Sequence, residues 1–134
     1  MHPADLIKIL KEALVFLGCD LSIVSDIDHH STIELTFDDS PNLLLSFIEG
    51  NVVVWSQIVP TNLDLLVMCA PQIIEKLIAE REWASNGQVQ LVSGQDWFEL
   101  RAVIDSEYMQ NGEQFGIALE SFFSVVQSFY KVMK

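Results

Sequence analysis

The sequence predicts an α+β sandwich in one domain over residues 1–134, with three helices and a mostly antiparallel five-stranded sheet in the order α-β-β-β-α-β-β-α. Three observations carry that expectation. Apolar residues recur at helical spacing near both ends and in the middle of the chain, and alternate at period two between those segments. The alternating runs are joined by short connections, which force neighbouring strands antiparallel. No linker, low-complexity tract or internal repeat divides the 134 residues, a length that a single core can serve.

A helix from Pro3 to Leu17 opens the chain. Pro3 suits a first turn, Asp5 the positive end of the helix dipole, and Gly18 the stop. Leu6, Leu10, Ala13, Leu14 and Leu17 make one stripe, while Ile7, Ile9, Val15 and Phe16 fall outside it. That is more apolar surface than a helix lying on a sheet requires. After a polar stretch, Ile33, Leu35 and Phe37 alternate with Thr32, Glu34 and Thr36, a half-buried strand over Thr32 to Phe37. Asp38-Asp39-Ser40-Pro41 turns the chain, and strands over Leu43 to Ile48 and Val52 to Ile58 flank a hairpin at Glu49-Gly50-Asn51.

Thr61 or Asn62 caps a second helix from Asn62 to Trp83, with Leu66, Val67, Ala70, Ile74, Leu77, Ile78 and Arg81 at compatible spacings. Pro71 removes a backbone donor and predicts a kink or restart. Beyond Ser85-Asn86-Gly87, strands over Val89 to Val92 and Trp97 to Ile104 are joined by Ser93-Gly94-Gln95-Asp96. A final helix starts near Asn111 and runs to the end, its core stripe made of Phe115, Leu119, Phe122, Val126, Phe129 and Met133.

Composition narrows function. Half the residues are apolar and mean hydropathy is +0.31, yet the net charge is −12. So many apolar side chains exceed what a domain this small readily hides, and like charge keeps such a surface soluble. The combination predicts a protein that rests its apolar faces on partners. Seven Lys and Arg against nineteen Asp and Glu exclude a nucleic-acid binder and an anionic-membrane binder. No apolar run spans a bilayer and no signal peptide opens the chain, which predicts a cytosolic protein with Cys19 and Cys69 as thiols.

Chemistry-bearing clusters are few. Asp26, Asp28, His29 and His30 could ligate a divalent metal, but adjacent histidines on an extended chain point apart and no second cluster completes a ligand set. A solvated turn before the strand is the simpler reading. Cys19 and Cys69 have no base at a meaningful spacing, and no phosphate-binding or nucleophile-elbow motif occurs. The expectation is no catalytic residue, no metal and no cofactor.

Gly18-Cys19-Asp20, Ile27-Asp28-His29-His30-Ser31-Thr32-Ile33, Val53-Val54-Trp55-Ser56-Gln57, Phe98-Glu99-Leu100-Arg101-Ala102-Val103-Ile104 and Tyr108-Met109-Gln110-Asn111-Gly112-Glu113-Gln114-Phe115 occur in that order. Together they resemble the multi-effector (class IB) type III secretion chaperones, the surface-presentation-of-antigens and invasion-protein-B group of invasive enteric bacteria. Each stretch is weak alone; their colinear order across nearly the whole chain carries the resemblance. His29 stands where the family pattern has Ser, and Asn111 where it has Asp before Gly. Pro71 falls in the segment that helps form the dimer in such chaperones.

The resemblance implies a homodimeric, cytoplasmic chaperone without ATPase activity, holding the N-terminal segments of several secreted effectors extended, with the secretion-apparatus ATPase as a further partner. Under that reading an edge strand at Thr32 to Phe37, including Ile33, Leu35 and Phe37, accepts the effector. Ile7, Leu10, Leu14 and Phe16 of the first helix wall its pockets. Leu66, Val67, Ile74, Leu77 and Ile78 of the middle helix make the dimer contact. Two rivals stand beside it: an adaptor dimer for a folded partner, and a small metal-dependent enzyme built on Asp26, Asp28, His29 and His30.

Overall fold

The computed structural model describes residues 3–27 and 32–134. Helix α1 (Pro3–Phe16) is followed by a 3-10 turn (Leu21–Ile23) and strands β1 (Val24–Ile27), β2 (Thr32–Leu35), β3 (Leu43–Ile48) and β4 (Asn51–Pro60). Helix α2 (Leu63–Ile78), strands β5 (Gln90–Ser93) and β6 (Trp97–Val103), a second 3-10 turn (Ser106–Met109) and helix α3 (Gly112–Met133) complete the chain. The strands form one sheet in the order β1-β2-β3-β4-β6-β5, every neighbouring pair antiparallel. The three predicted helices and five predicted strands are all there. A sixth strand, β1, is added at the edge inside the polar stretch.

Local chemistry explains where the elements stop. Gly18, at φ 73°, ends α1: the Cys19 N–H reaches the Leu14 carbonyl and the Gly18 N–H the Val15 carbonyl, a Schellman closure that needs the left-handed conformation glycine supplies. Asp20 then caps the first 3-10 turn, and the Ser22 backbone N–H at 2.9 Å, with its hydroxyl, holds the Asp20 carboxyl below the ordinary carboxylate range. Glu49 and Gly50, both at positive φ, make the two-residue turn between β3 and β4. In β4 the pairing shifts between Gln57 and Val59, so Ile58 and Val59 are both buried where strict alternation would expose one.

The second helix departs from its predicted span. Asn62 caps it, its side chain accepting from the Leu65 N–H, and the helix runs through Pro71 unbroken. Pro71 is exposed, on a side where a carbonyl deprived of its donor can turn to water. The helix stops at Ile78 instead of Trp83, because the Arg81 guanidinium donates to the carbonyls of Lys76 (2.8 Å) and Ala79 (3.0 Å). The Arg81 backbone N–H is meanwhile drawn to the Gly87 carbonyl. Trp83 then enters the core and meets the Phe122 ring edge-on at 5.9 Å.

The core lies between the sheet and helices α1 and α3. Leu10, Ala13 and Leu14 of α1 join Phe115, Phe122 and Phe129 of α3, with Leu45, Val54, Phe98 and Leu100 from the strands. The helices cross at glycine: a Cβ on Gly112 would collide with Glu12, and one on Gly116 would stand 2.9 Å from the Phe16 ring. On the opposite sheet face the indole N–H of Trp55 donates to the buried Ser46 hydroxyl (3.0 Å), which also bonds Thr32 (3.2 Å).

Candidate partner-binding surfaces

Helix α2 is apolar on two sides. Its inward stripe, Leu66, Cys69, Ile73 and Leu77, packs on the rest of the molecule; Ile73 is fully buried and the Cys69 thiol donates to the Val132 carbonyl of α3. Its outward stripe is Leu63, Val67, Ile74 and Ile78, at spacings of four, seven and four that place them on one face. Between 56% and 70% of each of these side chains is exposed, and the adjoining Met68 is 78% exposed. Asp64, Glu75 and Lys76 lie off that stripe, which leaves it without charge. A surface helix of a self-sufficient domain turns only its inward stripe apolar.

A second apolar patch caps the α1–α3 crossing. Phe16 is 51% exposed, with its ring over Gly116; Val15 precedes it and the exposed Ile117 follows that glycine. The sheet ends in β1 on one side and β5 on the other, and an edge strand presents unpaired backbone groups to any extended chain.

These positions sort the expected site residues by geometry. Of the predicted pocket residues, Leu10, Leu14, Ile33 and Leu35 are at most 5% exposed and belong to the core. Ile7 is half-buried against that core. Phe37 is also half-buried, its ring tilted 41° against that of Phe123 at 4.5 Å between centroids. Phe16 is the one of the seven that reaches solvent broadly. The predicted edge at Thr32 to Phe37 is corrected too, because β2 pairs with β3 on one side and β1 on the other. That strand ends at Leu35, where the Asn42 side chain takes the Phe37 N–H and turns the chain. Of the predicted dimer residues, Val67, Ile74 and Ile78 face outward, whereas Leu66 and Leu77 are inward and half-buried. Sequence reasoning missed Leu63 of the same face and the exposed Met68 beside it.

Asp28, His29 and His30 of the metal reading lie outside the described residues. Among the described residues no group of three His, Cys, Asp or Glu side chains is placed to hold a metal ion, and no helix is long and apolar enough to cross a membrane.

The fold, a six-stranded antiparallel sheet with three helices, has counterparts among solved structures. It is shared with the Yersinia pestis type III secretion chaperone SycH, solved with a fragment of YscM2 (TM-score 0.59, 14% identity, 91% of this chain and 95% of that one). The solved ExoU–SpcU complex of the Pseudomonas aeruginosa type III secretion system contains a chain equally similar, with the same TM-score, identity and coverage. In sequence, the chain is 28% identical over 129 residues to the surface presentation of antigens protein SpaK of Salmonella typhimurium, covering 96% of both. SpaK of Salmonella typhi matches to the same extent. Residues 18–95 match the Invasion protein B family, and the chain belongs to that family.

Proposed function

We propose that the chain is a homodimeric cytoplasmic chaperone, with no catalytic activity, that holds the N-terminal segments of several secreted effectors extended and competent for export. The uncharged outward stripe of α2 carries this reading: it is an apolar face that the fold does not use and that a second copy can cover. Phe16 and its neighbours offer a separate apolar seat, and an open sheet edge can take a strand of the client. The family and the shared fold support the assignment. β1, outermost beside β2, takes the edge role expected of Thr32 to Phe37. The secretion-apparatus ATPase remains part of the proposal as the receiver of the loaded complex.

Co-expression with open reading frames encoded beside this one, followed by affinity capture, tests it. A chaperone co-purifies with disordered N-terminal effector segments and keeps them soluble. Capture of folded proteins alone would replace this reading with the adaptor.

A further inference from the structure

The chain holds two Asn-Gly dipeptides, Asn86-Gly87 and Asn111-Gly112. Such dipeptides readily lose the side-chain ammonia, because glycine's bare backbone lets its nitrogen reach the preceding carboxamide. The fold treats the two differently. At Asn111 the Oδ1 is bound to the Gln114 N–H at 2.8 Å, and Gly112 is wedged on α1, where a Cβ would stand 2.9 Å from the Glu12 carbonyl carbon. Ring closure there must break the α3 cap and turn a peptide unit packed on α1. Asn86 is exposed in the turn over residues 84–87, which the Gly87 N–H closes on the Ala84 carbonyl at 2.9 Å. Among the described residues no hydrogen bond holds its carboxamide. One turn bond is all that has to open.

We propose that Asn86 is a site of spontaneous deamidation, and that the modified turn loosens the end of α2. The Gly87 nitrogen gives up its proton to solvent base and attacks Cγ of Asn86. The Cγ–Nδ2 bond breaks, and that nitrogen leaves as ammonia with a proton from solvent. One water then opens the five-membered imide, at the side-chain carbonyl to give Asp or at the main-chain carbonyl to give isoaspartate. Water has replaced ammonia, and a chain at −12 gains one more negative charge. The isoaspartyl form runs the backbone through Cγ and so lengthens the turn by a methylene. In this turn Gly87 sits at φ 77°, its carbonyl accepts the Arg81 N–H at 2.6 Å, and the Ser85 N–H reaches the Val103 carbonyl at 2.8 Å. A longer backbone disturbs that set of bonds. Arg81 is the residue whose guanidinium caps the Lys76 and Ala79 carbonyls, so its release frees the last turn of α2. The reaction needs no partner and stands apart from the chaperone reading.

The test incubates the full chain in mildly alkaline buffer and follows the tryptic peptides 82–101 and 102–131 by mass spectrometry, each of which holds a single asparagine. Peptide 82–101 should gain the mass difference between Asn and Asp about tenfold faster, since the cap bond at Asn111 alone is worth roughly that ratio. In urea the two rates should converge, which assigns the difference to the fold. Asn86→Ser should abolish the gain in 82–101. The aged chain should melt below the fresh one. Asn86→Asp, which adds the charge without the methylene, should melt within about two degrees of the fresh parent. Equal rates in the folded chain, or faster modification of 102–131, would overturn the site. An aged chain rich in isoaspartate that melts with the parent would overturn the loosening of α2.

Discussion

The ring of Phe16 lies on the bare backbone of Gly116, close enough that a Cβ there would stand 2.9 Å from its Cδ1. Four residues earlier, a Cβ on Gly112 would meet the backbone carbonyl carbon of Glu12 at 2.9 Å and the Ala13 nitrogen at 3.1 Å. Both glycines let α1 and α3 approach, yet the obstacles differ in kind, and the difference decides what alanine does. At Gly112 the obstacle is backbone, which yields only if α1 shifts. Overpacking of that sort costs about 1–3 kcal/mol and outweighs the helix-propensity gain of about 1 kcal/mol or less. Gly112→Ala should therefore lower Tm by several degrees in a thermal melt. At Gly116 the obstacle is the end of a half-exposed ring that can swing aside. Gly116→Ala should leave Tm within about two degrees while displacing Phe16. Equal losses at the two positions would contradict this assignment.

The client seat and the core can be separated by matched substitutions. Phe16 is half-exposed, whereas Leu35 is 2% exposed between neighbouring strands. Phe16→Asp should abolish capture of a disordered client segment and leave the circular dichroism spectrum and the oligomeric state unchanged. Leu35→Asp places a carboxylate in the core, which costs several kcal/mol and should yield insoluble or unfolded protein. A folded Leu35→Asp variant lacking capture would return the seat to β2.

For self-association the decisive residues are those pointing outward on α2. Val67→Asp with Ile74→Asp adds two charges to a face already exposed in the single chain, so the fold has nothing to lose there. Light scattering coupled to gel filtration should show the parent at twice the mass of one chain and the double variant as a monomer. Ile73→Asp, one turn position away but buried, should unfold the protein instead. A dimer that survives the double substitution would place the self-contact elsewhere.

Periodicity carried most of the fold. The Leu6–Leu10–Ala13–Leu14 stripe, the alternation from Thr32, and the Phe115–Phe129 spacing each lie where one face is buried, so the pattern is written into residue type. It gave out where position depends on distant groups. β1 is four residues long and leaves no readable period; its pairing with β2 is what makes it a strand. The end of α2 is set by Arg81 folding back on two carbonyls and by Trp83 reaching Phe122, neither of which is visible in local spacing. The site suffered the same ambiguity. Apolar residues on α1 and β2 read alike whether they line a core or a pocket, and only tertiary packing buried Leu10, Leu14, Ile33 and Leu35 while leaving Phe16 out. On α2, Leu66 and Val67 are neighbours in sequence, yet the first packs on the core and the second is exposed.

Asn111 offers the cleanest energetic test, because its side chain has one visible task. Its Oδ1 accepts the Gln114 backbone N–H at 2.8 Å, the N-cap bond of α3, and the residue itself is exposed with extended backbone. Asn111→Ala leaves that donor without its cap and should cost about 1 kcal/mol, measurable as a shift in the urea midpoint with the slope unchanged. Asn111→Asp keeps the acceptor and adds negative charge at the positive end of a 22-residue helix, a gain of about 0.3–1 kcal/mol at low salt. The gain should shrink as salt is added, and it is opposed by repulsion within a chain already at −12, with Glu113 two residues on. The net expectation is a variant as stable as the parent at moderate ionic strength. A loss as large as that of alanine would mean that the cap bond is not what Asn111 contributes.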